Sequence, residues 1–218
     1  MNSTRAPSAP LARWDGEDSH IIAGRDLVSG GTWLGVSERG RIAVVTNIRT
    51  ADAPDRAKAS RGDLVSNYLR GGDLPPAESL DGFNAFSLIT IGPEGATLSA
   101  NRPSPMVTAL VPGIHGLSNG IPDEDWPRKS RLISHFTDII DSADNLPDTL
   151  LDLLATEAID DSIFIRNKVY GTRCSTVVLV DYSGTGLMIE HQFGCNGEPV
   201  NSTEASLSFT PEPSPTAQ

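Results

Sequence analysis

The chain has 218 residues and a formal net charge of −11 at pH 7. This acidity argues against nucleic acid as the main partner, because phosphate binding requires a basic face. No stretch approaches the about 20 apolar residues of a membrane span, and the N-terminus lacks the apolar region of a signal peptide. The sequence therefore predicts a cytoplasmic protein without a membrane span.

The chain begins with a segment of small, polar and proline residues, 1–13, which we interpret as an extended lead-in rather than an element. A short strand is predicted at 21–23. The stretch that follows, 24–50, is typical of a hairpin, with strands at 32–36 and 41–46 around a turn at 38–40. Gly30 and Gly31 precede the first of these strands, and we expect them to adopt backbone angles closed to other residues.

Beyond the hairpin, apolar periodicity predicts a helix, three strands, two helices and two strands. The predicted helices are 61–70, 127–141 and 146–156, and the predicted strands are 85–91, 96–100, 106–111, 172–181 and 187–193. In the second helix the apolar side chains at 132, 133, 136, 139 and 140 form the face that we expect to be buried. Residues 198–218 are rich in Ser, Thr, Pro and Glu, and we expect a disordered tail there.

Strands joined by short turns on both sides of a helical block indicate an α+β fold with mainly antiparallel sheets. We expect a single domain over residues 1–197, since β-rich domains often reach about 200–250 residues.

The sequence contains no motif that predicts a metal site or a nucleotide-binding site. The four histidines, His20, His115, His135 and His191, are far apart and form no paired-ligand spacing, so no metal site is predicted. The glycines match neither a dinucleotide fingerprint nor a phosphate-binding loop. No nucleophile elbow of the GxSxG type is present.

The cysteines are too few for a disulfide framework. We favour free thiols for Cys174 and Cys195, with one disulfide between adjacent strands as the alternative.

Polar side chains cluster around the hairpin at Arg25, Asp26, Trp33, Asn47 and Arg49. Buried polar groups must be paired, so this cluster is either a hydrogen-bonded structural node or part of a site. From the local pattern alone we favour the structural interpretation.

Asn and Arg also recur at the edges of apolar strands, at Asn47, Asn119 and Arg173. Their amide and guanidinium groups can hold a carbonyl oxygen as negative charge develops on it. If these three residues converge on one cleft, they form an anion-stabilising site.

Four segments are long and unusual enough to suggest a family: GRDLVSGGTWLGVSERGRIAVVTNIR, SRGDLVSNYL, GIHGLSNGIPDEDWPRK and VYGTRCSTVVLVD. In this order they resemble motifs of the Transport and Golgi Organisation 2 family, also called the NRDE family, over residues 7–193. The resemblance implies a fold similar to the N-terminal-nucleophile hydrolases, an αββα sandwich of antiparallel sheets. Analogy with acylases of that superfamily gives Asn47 and Asn119 the role of oxyanion or substrate donors. Arg173 is then an electrostatic partner of the nucleophile.

Members of the family open with Met-Cys, a first strand and an Asn-Arg-Asp-Glu motif, whereas this chain opens with Met1–Arg5. We therefore expect the first strand and the nucleophile to be missing relative to the family pattern.

The resemblance favours a non-catalytic binding or trafficking protein whose small-molecule ligand is haem or a lipid or acyl-CoA. The alternative is an amidohydrolase acting on a small acylated amine, inactive as written because it lacks the N-terminal cysteine. A remnant with only a structural role is a third hypothesis. No bound cofactor and no oligomeric state are predicted.

Overall fold

The computed structural model describes residues 7–158, 162–167 and 170–210. Seven of its strands form one antiparallel sheet in chain order, so that each strand pairs with the next. These strands are β1 (Ser8–Arg13), β2 (Ile21–Asp26), β3 (Leu34–Ser37), β4 (Arg41–Asn47), β5 (Phe86–Gly92), β6 (Gly95–Ala100) and β7 (Met106–Leu110). Three more form a second antiparallel sheet in the order β10-β9-β8. They are β8 (Cys174–Val180), β9 (Thr185–Phe193) and β10 (Pro199–Ser208).

Three α-helices complete the fold: α1 (Arg61–Leu69), α2 (Pro127–Ile139) and α3 (Leu146–Leu154). Short 3-10 helices lie at Gly16–Asp18 and Ala77–Gly82. Proline stands in the first turn of α2 and of α3, where the missing N–H leaves no hydrogen bond unmade. The Asn145 side chain caps α3 by accepting from the Asp148 N–H at 3.5 Å.

The period-two alternation of the strands sorts their side chains into layers. One face of the seven-stranded sheet packs on α1, and Ala43, Leu69 and Phe86 are buried there. The opposite face packs on the three-stranded sheet through a second core that contains Val36 and Met188. The far side of the smaller sheet carries α3, and α2 packs against α3. The order of layers is therefore helix, sheet, sheet, helices.

This architecture confirms the predicted α+β class with antiparallel sheets. Every predicted helix and strand is present, and the ends are shifted by at most three residues. The two cysteines are free thiols, as we favoured.

The extended lead-in was a wrong interpretation, because Ser8–Arg13 forms β1 and pairs with β2. Leu11 is the reason: its side chain is 1% exposed, and it is the strand's one large aliphatic residue in the core between the sheets. One leucine among small residues and prolines produces no periodicity that a sequence pattern could reveal.

The disordered tail was also wrong over residues 199–208, which form β10 and pair with β9 along their length. An edge strand draws much of its stability from backbone hydrogen bonds, and here Leu207 and Ala205 supply the apolar contacts. Ser206, which lies between them, is exposed. Residues 211–218 lie outside the described part of the chain.

Glycine is required at the two positions before β3 for different structural reasons. Gly30 has φ +76°, in the left-handed region that favours glycine, as predicted. Gly31 lies against the backbone of Gly62 at the start of α1, and a Cβ at Gly31 would meet the Gly62 carbonyl carbon at 2.7 Å. The absence of a side chain at Gly31 lets α1 approach the chain just before β3.

We expect a small pH-dependent contribution from the ion pair that joins β1 to the β3–β4 turn. The Arg13 guanidinium holds both Glu38 carboxylate oxygens, at 2.6 and 2.9 Å, and this hydrogen bonding lowers the pKa of Glu38. A lowered pKa stabilises the fold above the unfolded-state pKa, and the contribution is lost as the pH falls through the folded-state value. Because the pair is partly exposed, Glu38→Gln should lower the free energy of unfolding by about 0.5 kcal/mol at pH 7.

Urea unfolding at pH 7 and at a pH low enough to protonate folded Glu38 measures this effect, which should vanish at the lower pH. Glu204→Gln is the matched control, since it removes the same charge from an exposed position of β10. Equal losses in the two variants would contradict the assignment.

Candidate functional site

A polar cleft of about 580 Å³ lies where β4 ends and α1 begins. Its walls come from the segment before β3, the end of β4, the loop at 54–60 and the first residues of α1. Asp26, Trp33, Asn47 and Asn119, four of the residues that the sequence singled out, line it.

Asn47 and Asn119 are brought together by a direct contact. The Asn119 side-chain amide donates to the Asn47 backbone carbonyl at 2.8 Å, and the Arg49 N–H donates to the Asn119 carbonyl at 2.7 Å. These two bonds fasten the loop around residue 119 to the end of β4. One N–H of the Asn119 amide is thus engaged in structure, whereas the Asn47 side chain is exposed at the strand end.

The other polar residues of the hairpin mainly hold the local structure. Asp26 accepts from the Val28 and Ser29 N–H groups at 2.8 and 3.0 Å, a turn stabilised by its own side chain. Arg25 donates to the Gly30 carbonyl at 3.2 Å, and its guanidinium lies 4.6 Å from the centroid of the Trp14 ring.

Arg49 places its guanidinium 5.2 Å from the centroid of the Trp126 ring. Neither Arg25 nor Arg49 is among the residues that line the cleft.

Arg173 lies in a neighbouring pocket of about 450 Å³. Its guanidinium donates to the Ser8 hydroxyl at 2.7 Å, which connects the start of β8 to the start of β1. Trp33 lines both this pocket and the polar cleft. The structure therefore brings Asn47, Asn119 and Trp33 together and places Arg173 in the adjoining pocket.

Arg61 is a cation on the lining of the cleft that the sequence pattern did not single out. It is the first residue of α1 and half-buried, and its guanidinium donates to the Ala85 carbonyl at 3.1 Å. Burial lowers the pKa of Arg61. A signal was available in the sequence, because a cation in the first turn of a helix opposes the helix dipole and is uncommon without a local reason.

A second, apolar cavity of about 730 Å³ lies between the β5–β7 part of the large sheet, α2, α3 and β8. Its floor carries Ile89 and Ile91, and α2 contributes Leu132, Ile133 and Phe136 to its wall. These three residues of α2 are only partly buried, contrary to the buried face that we predicted for this helix. The face is apolar because it lines a cavity, and the pattern alone does not distinguish that from a packed core.

Few polar groups reach this cavity. Lys129 and His115 line it, as does Thr176 on β8. The Lys129 ammonium donates to the Glu124 carbonyl at 2.5 Å, and His115 Nε2 lies 2.7 Å from the Val111 carbonyl oxygen. The chain from Leu110 to Leu117 forms one rim of the cavity, and two residues later it reaches the polar cleft at Asn119.

Two general features bear on the class of protein. Within residues 7–158, 162–167 and 170–210, no three His, Cys, Asp or Glu side chains are grouped as a metal site requires. In the same part of the chain no helix has the length and apolar character to cross a membrane.

The fold and the cavities define an α+β protein in which two antiparallel sheets lie between helical layers, with an apolar cavity and a separate polar cleft. The family described as Transport and Golgi organisation 2 matches residues 3–195, and the chain belongs to this family. It is 31% identical over 216 residues to the Transport and Golgi organization 2 homolog of Mus musculus, an alignment that covers 80% of this chain and 77% of the relative. It is 30% identical over 215 residues to the human homolog, with the same two shares. The resemblance inferred from the four segments is thereby confirmed.

Proposed function

We propose that this protein is a non-catalytic binding protein that takes an acyl chain in the apolar cavity. The observation that carries the proposal is the cavity itself, about 730 Å³ in volume and lined mostly by aliphatic side chains. Small-molecule sites are typically concave, about 300–1,000 Å³, and mostly apolar with a few placed polar groups. Binding and movement of a lipid-class ligand also accords with the transport named in the family description.

The energetics favour an apolar occupant. Moving one methylene group from water into an apolar environment stabilises the complex by about 0.8 kcal/mol, so that each added methylene should raise affinity about fourfold. Lys129 offers a positive charge on the lining that suits a carboxylate or another anionic head group.

Haem, the other ligand that the resemblance implied, fits this lining less well. His115 lines the cavity, but its Nε2 lies against the Val111 carbonyl oxygen at 2.7 Å and must leave it to ligate iron. Among the described residues of the lining there is no second His and no Cys, Met or Tyr. We therefore propose the acyl chain as the ligand class.

Titration with octanoate, decanoate and dodecanoate tests this proposal, below their micelle-forming concentrations. We expect affinity to rise by about fifteenfold for each two carbons added, because each methylene contributes about 0.8 kcal/mol. Ile133→Glu, which places a charge in the cavity wall one helical turn from Lys129, should weaken dodecanoate binding by at least about tenfold, since it replaces apolar lining and competes with the ligand carboxylate for the Lys129 ammonium.

Ser134→Glu is the matched control, because it adds the same charge at the exposed neighbouring position of α2. Equal losses in both variants, or no dependence on chain length, would count against the cavity as the site. Haemin is titrated in parallel, and a Soret shift that disappears in His115→Ala would favour haem instead.

Amide hydrolysis is a second candidate, on the observation that Asn47 and Asn119 line one cleft. An amide at the end of β4 and a second on the loop around residue 119 suit the stabilisation of a carbonyl oxygen. The described lining of the cleft contains neither His nor Cys, and Arg173 lies in the adjoining pocket. A panel of acyl amides tests hydrolysis, and turnover that Asn47→Ala abolishes would favour it over simple binding.

We also propose that the fold is a sandwich of the N-terminal-nucleophile type, which accords with the observed order of layers, and that the protein is cytoplasmic.

A further inference from the structure

We propose that Arg61 binds the carboxylate of a small monoanionic ligand in the polar cleft, with the body of the ligand against Trp33. This site is separate from the apolar cavity, since the two linings share no residue. The inference therefore stands or falls independently of the acyl-chain proposal.

The first argument is that Arg61 is a half-buried cation without a counter-charge. Its guanidinium donates to one neutral group, the Ala85 carbonyl. Within the described residues it forms no ion pair with a carboxylate. Desolvating a cation is unfavourable unless a partner compensates for it, and the lowered pKa of Arg61 reflects that desolvation. An anion in the cleft would supply the missing charge.

The second argument is that the acidic residues of the cleft have other hydrogen-bond partners. Asp26 is held by the two backbone N–H groups of its turn, and Asp55 accepts from the Ala57 N–H at 2.8 Å. Both carboxyl groups line the cleft, together with Arg56 and Lys58. Because this lining is of mixed charge, a monoanion can pair with Arg61 at a smaller cost in repulsion than a dianion such as phosphate.

The third argument concerns geometry and rigidity. A guanidinium presents a planar fork that matches the two oxygens of a carboxylate. One wall of the cleft is fixed, because Asn84 and Asp55 exchange two hydrogen bonds of 2.8 Å. The exposed amide of Asn47 is available at the strand end, and half-buried Trp33 offers an aromatic surface. A small aromatic or short-chain carboxylate is the ligand class that this lining suits.

Benzoate is the probe, and benzamide, which has the same shape without the charge, is its matched control. Isothermal titration at pH 7 should show binding of benzoate at least tenfold tighter than that of benzamide. Arg61→Gln should remove that preference. Arg61→Lys, which keeps the charge and loses the fork, should retain part of it.

Arg13→Gln is the matched control variant, because Arg13 lies far from the cleft. It pairs with Glu38 in the turn before β4, and the seven residues of β4 place Asn47 about 20 Å away at the other end of the strand. It should bind benzoate as the unmodified protein does. Should Arg61→Gln fail to fold, as judged by its thermal unfolding transition, Arg61→Lys and Asn47→Ala provide the comparison, and each should weaken benzoate binding by threefold or more. Equal binding of benzoate and benzamide, benzoate binding unchanged in these variants, or inorganic phosphate binding more tightly than benzoate would each overturn the proposal.

Discussion

Replacement of Asn101 by alanine should lower the free energy of unfolding by about 4 kcal/mol, because it leaves the buried Phe86 N–H without its acceptor, at about 1–3 kcal/mol, and removes two more hydrogen bonds of about 0.5–1.5 kcal/mol each. The Asn101 side chain is fully buried. Its carbonyl oxygen accepts from the Phe86 N–H at 3.0 Å, and its amide donates to the Leu80 and Phe83 carbonyls at 3.0 and 3.1 Å. One side chain therefore ties the 3-10 helix at Ala77–Gly82 to the first residue of β5.

Urea unfolding of Asn101→Ala measures this loss. Asn201→Ala is the matched control, because Asn201 is exposed on β10, and it should change the free energy of unfolding by no more than about 0.5 kcal/mol. A loss below about 1 kcal/mol for Asn101→Ala would show that water or a shifted backbone replaces the three bonds.

The same variant should also affect the polar cleft. Asn84 and Ala85, between the 3-10 helix and β5, hold the loop at residue 55 and the Arg61 guanidinium respectively. If Asn101 no longer fixes this segment, the Asp55 N–H and the Arg61 guanidinium lose acceptors that are held in place, the Asn84 side chain and the Ala85 carbonyl. Benzoate binding should weaken in Asn101→Ala under conditions in which the variant is still folded.

The predictable part of the fold is the part with a strong apolar period. The strand at 172–181 and the helix at 146–156 bury continuous or regularly spaced apolar side chains, and both are present as β8 and α3. β1 and β10 were missed for one shared reason. Each contributes one large aliphatic side chain to the core between the sheets, Leu11 and Leu207, and otherwise depends on backbone pairing with the neighbouring strand. Backbone pairing of this kind leaves little trace in the side-chain pattern.

The site was predictable to a similar extent. Asn47 stands out because an amide at the end of an apolar strand is exposed to whatever cleft that end forms. Asn119 lies in the loop after β7 and joins the same cleft through its hydrogen bond to the Asn47 carbonyl. The sequence could not show that Arg173 contacts Ser8 rather than Asn47, since this depends on how β1 crosses the second sheet. Arg61 was missed although its charge opposes the helix dipole, and the apolar face of α2 was assigned to a packed core. Only the three-dimensional structure reveals that Arg61 has no counter-charge in the described part of the chain and that this face of α2 lines a cavity.

Glu190 provides the second large expected effect, because it is a buried polar connection between the two sheets. Its side chain is 2% exposed, and its Oε1 accepts from the Leu11 N–H in β1 at 3.0 Å and from the Gln192 side-chain amide at 3.0 Å. Glu190→Ala removes the acceptor of a buried backbone N–H and leaves a cavity between β9 and β1. We expect it to lower the free energy of unfolding by about 3 kcal/mol, the sum of an unpaired N–H and the lost packing.

Glu190→Gln separates hydrogen bonding from packing, because an amide oxygen in place of Oε1 can still accept from Leu11 and Gln192. The NH₂ group in place of Oε2 can no longer accept from the Thr176 hydroxyl, which lies 3.5 Å away. The variant should lose about 1 kcal/mol, one net hydrogen bond. Glu204→Ala, at an exposed position of β10, should have little effect on stability. Hydrogen exchange at the Leu11 amide gives the decisive readout: its protection should fall in Glu190→Ala by more than global destabilisation accounts for. Since the Ser8 hydroxyl of β1 accepts from Arg173, release of β1 from β9 should break this hydrogen bond and change the pocket beside Trp33. If Leu11 keeps its protection in Glu190→Ala, packing of the Leu11 side chain alone holds the two sheets together at this point, and the carboxylate has no part in positioning that pocket.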